Sequence, residues 1–142
     1  MNDYRTENDA SRARLQALLH SLDTAKLARP LPNGWTAADA LVHLAFWDAY
    51  ALSWLHSWQK GDTLEDSTNI HTINAAVTAL SRSISLDAVV PLVLENAKAV
   101  DREVETLAPA LATAIEASGK NHLLFRARHR NEHLDTLESV LA

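Results

Sequence analysis

The sequence carries seven imidazoles and no thiol: His20, His43, His56, His71, His122, His129 and His133, with no cysteine anywhere. A chain without cysteine has no disulfide, thiolate zinc site, iron–sulfur cluster or cysteine nucleophile. A transition metal would therefore sit on imidazole, carboxylate, amide or water. His129 and His133 are spaced i, i+4, which on a helix puts both rings on one face, where they can chelate one ion. Alone the pattern is weak, since roughly 0.3 such pairs arise by chance in a chain with this many histidines. His43 sharpens it. It lies 86 residues before His129, on a stretch that reads as a helix with aromatic residues along one face. Three imidazoles would leave at least one coordination position open, which is the mark of a catalytic rather than a structural metal site. The plainer reading stands beside this one. His43 could be a core histidine bonded to Asp39, and His129 and His133 could be surface residues, His133 favoured by the helix C-terminus. Spacing alone does not separate the two.

The neighbours of these histidines are also typed for chemistry. His43, Trp47, Tyr50 and Trp54 follow at steps of four, three and four, so they share a helix face. Trp47, Tyr50 and Trp54 could wall a site and exclude water, with Tyr50 as a proton donor, although such a stripe is more often core packing. All four tryptophans, Trp35, Trp47, Trp54 and Trp58, fall within 24 residues, which suits a pocket for an apolar small molecule. Arg126, three residues before His129, could anchor an anionic substrate or a thiol's carboxylate. As part of the run Arg126, Arg128, Arg130 its ordinary reading is a solvated face. A metal-bound imidazole usually gives its other N–H to an acceptor. The nearest acids are Asp39, one turn before His43, and Glu132, which sits about 100° around the helix from His133. His122 extends the stripe of the last helix, and His20, His56 and His71 are bystanders.

Helices must position these groups. The chain has 142 residues, 47% hydrophobic, enough for a single domain over residues 1–142. Ala/Leu-rich stretches, the absence of strand alternation and the few breakers, Gly34, Gly61, Gly119 and Pro30, Pro32, Pro109, predict an all-α fold. A first helix is expected over about 3–21, and the connector 23–33 has room for one short turn. The second helix should start after Thr36, an N-cap with Asp39 three residues on, and run to Gln59 before Gly61. Residues 62–67 read as a polar loop and 69–83 as a shorter helix between the second and third. The third helix is expected over 85–107, with Pro91 either moving its start or kinking its first turns. The fourth is expected over 120–141, after a loop of about twelve residues. Four helices of about 20 residues, roughly 30 Å each, make a four-helix bundle.

The net charge is −5, concentrated in residues 62–116, where nine acids face three bases. No basic stripe is present, so a nucleic-acid partner is not expected. The polar N-terminal MNDYRTENDASR is unlike a secretory signal. The most apolar window, residues 40–55, contains His43 and Asp48 and is shorter than a membrane span. A cytoplasmic protein is expected, and the Ala/Leu-rich surface leaves a homodimer open.

The stretch LPNGWTAADALVHLAFWDAY resembles the DinB/YfiT-like superfamily, through Gly34-Trp35-Thr36 opening the second helix, then His43-Leu44-Ala45 and Trp47. The closing RARHRNEHLDTLESVLA is similar to that family's last helix, through His129, His133 and Leu134. The resemblance implies a four-helix bundle and a divalent metal, Zn or Ni, on His43, His129 and His133. It also implies activities such as those of mycothiol-dependent maleylpyruvate isomerases and thiol S-transferases. A chain without cysteine fits an enzyme that borrows a low-molecular-weight thiol. The expectation is a metal-dependent enzyme acting on a small electrophile by thiol transfer, isomerisation or hydrolysis. The alternative is a metal-free bundle that binds or sequesters a small molecule. Because ligating imidazoles must be neutral, metal affinity is expected to fall below about pH 6.5, the reference histidine value.

Overall fold

The computed structural model describes residues 3–62 and 69–142; the expected polar loop falls almost wholly outside them. The helices are α1 (Tyr4–His20), α2 (Thr24–Leu27), α3 (Ala37–Gln59), α4 (Ile70–Ser81), α5 (Leu86–Thr106), α6 (Pro109–Ala117), a 3-10 turn (Asn121–Leu123) and α7 (Ala127–Leu141). There is no strand among the described residues, only an isolated bridge between Pro30 and Thr36. The four long helices, α1, α3, α5 and α7, form the bundle. α3 packs chiefly on α5 and α7 chiefly on α1, α1 also meets α5, and α4 lies on α3.

α3 starts where the capping residues say it should. The Thr36 side chain accepts from the Asp39 N–H at 3.1 Å, and the Asp39 carboxylate accepts from the Thr36 N–H at 3.0 Å. Both groups satisfy N–H donors that the first turn leaves unpaired. Every residue from Ala37 to Ala45 is buried, so the first half of this helix is enclosed all round rather than amphipathic. α5 runs through Pro91 without a later start. The proline sits in the second turn, where its missing N–H leaves the Asp87 carbonyl without its intrahelical donor.

Two boundaries differ from expectation. The loop before the last helix contains α6, which opens with Pro109 at its first position and ends two residues before Gly119, whose φ is 80°. That is the usual placement of proline and glycine around a helix. The last helix begins at Ala127 rather than near Lys120. The reason is Asn8 of α1. Its Nδ2 donates to the Leu124 carbonyl at 2.8 Å and its Oδ1 accepts from the Ala127 N–H at 2.9 Å. The cap of α7 is thus supplied by a side chain from another helix.

The core has two apolar clusters. One gathers Leu15, Leu19, Leu41, Leu44, Val89, Val93, Ala97, Leu134, Leu137 and Leu141. The other gathers Ala51, Trp54, Leu55, Val100, Val104, Ile115, Leu123 and Leu124. On every long helix a buried polar residue falls at or beside the division: Asn8 and Ser11 on α1, Asp48 on α3, Asp101 on α5, Arg130 on α7.

Candidate metal centre

His43 projects from α3, and His129 and His133 from α7. Their ring centroids form a nearly equilateral triangle of 5.0, 4.7 and 4.8 Å. Nε2 of His43 lies 3.0 Å from Nε2 of His129, and one ligand nitrogen from each ring lies within 4.8 Å of the others. Two nitrogens bound to one ion at about 2.1 Å, with angles between octahedral and tetrahedral, stand roughly 3.0–3.4 Å apart. The His43–His129 pair already has that spacing, and the third ring is in reach. Neutral imidazoles suit such a site, and burial keeps them neutral. His43 is 6% exposed, and burial, with the nearby His133, pulls its pKa down to about 4. Burial also lowers His129, helped by His133, Arg126, His43 and Arg130. His133 is lowered by burial and partly restored by Glu132. Protons therefore compete for the folded site at a lower pH than the reference histidine value suggests, near pH 4 for His43. The three residues form a group that can hold a metal ion.

The triad opens on a cavity of about 600 Å³. Trp35, Trp47 and Tyr50 form its aromatic wall, Ile70 and Asn74 of α4 cover one side, and Arg126, His122 and Glu132 line the rest. Trp35 is placed by a tight turn. Gly34 adopts φ 89°, a conformation that a side chain strains. The Leu31 N–H donates to the Trp35 carbonyl at 2.7 Å, and Asn33 Oδ1 accepts from the Trp35 N–H at 3.0 Å. The Trp35 ring then stands 4.9 Å from His43 and 6.2 Å from His133, nearly parallel to the latter. Trp47 Nε1 donates to Asn74 Oδ1 at 2.9 Å, which ties the aromatic wall to α4.

Several expected roles are redistributed. Trp54 does not line this cavity; it packs in the second apolar cluster, with Lys120 5.2 Å from its ring. Trp35 holds the place that the helical stripe assigns to it. Asp39 does not orient His43. Its carboxylate caps α3 and accepts from the Ser81 hydroxyl of α4. Burial works against its charge, and these hydrogen bonds with Ser81 and Thr36 lower its pKa nonetheless. His43 Nδ1 is buried without a partner among the described residues. Glu132, although about 100° around the helix from His133, lines the cavity. His20, His56 and His71 are exposed and lie elsewhere.

The basic run is not a solvated face. Only Arg128 is exposed, over the Phe125 ring at 4.7 Å. Arg126 is 5% exposed and gives Nε to Asp48 at 2.9 Å and Nη1 to the His122 carbonyl at 2.7 Å. Arg130 is fully buried. It holds Asp101 with two bonds of 2.8 Å and reaches Asp48 at 3.3 Å. Arg12 of α1 meets the same Asp101 at 2.6 Å. Burial opposes the charge of Arg130, and Asp48 and Asp101 more than offset it, so its pKa is raised. A single Asp or Arg in a helix carries no sequence mark of burial, so this network was not legible. The i, i+4 pair Arg126 and Arg130, opposite Asp48 in the other motif-bearing helix, is the one available hint.

No helix of the described residues is long and apolar enough to cross a membrane. Residues 7–137 match the family described as the DinB superfamily. Searches of curated proteins and of solved structures give no significant match.

Proposed function

The chain belongs to the DinB superfamily, and from that premise we propose that it is a cytoplasmic metal-dependent enzyme that acts on a small electrophilic molecule by thiol transfer, isomerisation or hydrolysis. The observation that carries this reading is the convergence of His43, His129 and His133 at the wall of one open cavity. The ion is a divalent one, Zn or Ni, held by those three imidazoles. When bound, such an ion supplies Lewis acidity to a carbonyl, or lowers the pKa of a water or thiol so that a nucleophile forms near neutral pH.

The chain's own residues do the rest. Trp35 and Trp47 pack an apolar wall beside the histidines, excluding water and binding an apolar or unsaturated body by contact. The Tyr50 hydroxyl, from the same wall, is the proton donor for the leaving or product oxygen. Arg126 is held rigidly by Asp48 and the His122 carbonyl. It offers a fixed cation to a carboxylate on the substrate or on an external thiol. With no cysteine in the chain, any thiol in the reaction is brought in from outside.

The test is metal content after mild purification without nickel resin. About one equivalent per chain is expected, and less than about 0.1 equivalents, unchanged by added Zn²⁺ or Ni²⁺, would overturn the reading. A second reading, a metal-free binding protein, is favoured by the size and aromatic walls of the cavity. It requires that His43→Ala leave ligand affinity nearly intact, where the enzyme reading requires loss of both metal and activity.

A further inference from the structure

His43 and His129 come from helices that are each packed mainly on another neighbour. α3 lies chiefly on α5 and α7 chiefly on α1, while α3 and α7 meet only lightly. Yet their Nε2 atoms stand 3.0 Å apart, and a shift of about 1 Å between helices would spoil a shared ligand position. Something must fix the two helices against each other close to the histidines.

We propose that Asp48 is the positioning residue of the three-histidine site: its carboxylate is a strut that sets the spacing and axial register of α3 against α7. Asp48 is on α3, five residues and about 7.5 Å along the helix from His43. It is 1% exposed. One oxygen accepts from Arg126 Nε at 2.9 Å and the other from Arg130 Nη2 at 3.3 Å. These arginines flank His129 at positions −3 and +1, so the strut grips the turn of α7 that carries the ligand. Arg130 also makes two bonds to Asp101 of α5. Charge-assisted bonds to a carboxylate with both oxygens used are directional, whereas the apolar contacts of a bundle tolerate sliding. Asp101 differs in an informative way. It ties Arg130 to α5 and α1 and makes no bond to α3 among those described.

The inference rests on the metal reading of the site, and the experiment keeps the two apart. Wild type, D48N and D101N are titrated with Co²⁺, following the visible d–d absorption, and the metal-free proteins are melted in parallel. Asp48→Asn is expected to weaken Co²⁺ binding about tenfold to a hundredfold and to change the position or intensity of the band, as loss of a group that orients ligands does. Asp101→Asn, also in the buried network, is expected to lower the melting temperature while staying within about threefold of wild-type affinity, because it leaves the α3–α7 tie in place. Should D48N not fold, Arg126→Gln, which removes one arm of the strut, is read by the same titration, with the same loss expected. Wild-type affinity and spectrum in D48N, or in R126Q where that stands in for it, would overturn the proposal. So would a loss in D101N as large as in D48N, since the effect would then be one of general destabilisation. A wild-type chain that takes up no Co²⁺ overturns the metal reading itself, and the proposal with it.

Discussion

At the scale of the residue, the site is built from imidazoles that burial keeps neutral, and their acceptors are not where the sequence suggests. Asp39 is the clearest case. It is one turn from His43, but its carboxylate is used on Thr36 and Ser81. Asp39→Ala should destabilise the protein by about 1–2 kcal/mol, as loss of a helix cap does, and leave metal affinity unchanged. Urea denaturation and a Zn²⁺ titration on the same variant check both halves. The titration of His43 gives a second prediction. Burial and the nearby His133 pull its pKa in the fold down to about 4, below the ordinary histidine value of 6.5. Between these values the unfolded chain binds more protons than the folded one. The contribution of His43 to stability is therefore full above about pH 6.5 and is lost as pH falls towards 4. Its size is on the order of 2–3 kcal/mol for a buried group of this kind. With chelator present, unfolding free energy should fall over that window, and His43→Asn should flatten the slope. A slope identical in the two proteins would show that His43 is not held neutral by its surroundings.

At the scale of the element, local signals were legible wherever the partner lies nearby in sequence. The capping box at Thr36 and Asp39 marks the start of α3, and the i, i+4 histidines mark one face of α7. The helix between the second and third long ones also follows its apolar period, ending at Ser81. What failed depends on distant partners. α7 carries no cap of its own at Arg126, so nothing near residue 120 announces that the helix waits until Ala127. The cap comes from Asn8, 119 residues away. α6 has its proline and glycine in place, yet at nine residues its apolar period is too short to tell it from a loop. Asn8→Ala leaves the Leu124 carbonyl and the Ala127 N–H buried without partners. It should cost about 2–4 kcal/mol, since each such orphan is worth roughly 1–3. Urea denaturation gives the loss, and hydrogen exchange should show the Ala127 amide losing protection ahead of the middle of α7.

At the scale of the whole molecule, all four long helices meet at the buried residues around Arg130. An ion pair there is poor evidence for stability, because two desolvated charges roughly cancel their attraction. Breaking one is another matter. Arg130→Met leaves Asp48 and Asp101 without their shared cation, and should cost about 3–5 kcal/mol, read as a lowered midpoint in urea. A midpoint within error of wild type would show that the two carboxylates find other partners or take up protons. The bundle of long helices could be read from periodicity, and the three histidines as one of two readings that spacing leaves open; α6 could not. The polar interior could not, since Arg126 and Arg130 look on paper like any charged helix face.

That division of the core has a consequence for anyone who recombines such bundles. Apolar helix faces are nearly interchangeable, so a bundle held by leucines alone would accept a foreign helix, or one of its own shifted by a turn. Here each long helix carries one tooth of a key: an amide, a carboxylate, a second carboxylate, a guanidinium. A transplanted helix with the right hydrophobic pattern and a blank at that position would leave a charge with no counterpart. Volume-conserving swaps among its interior apolar residues should therefore be tolerated far better than a change at one of these positions alone, which leaves the others unmatched.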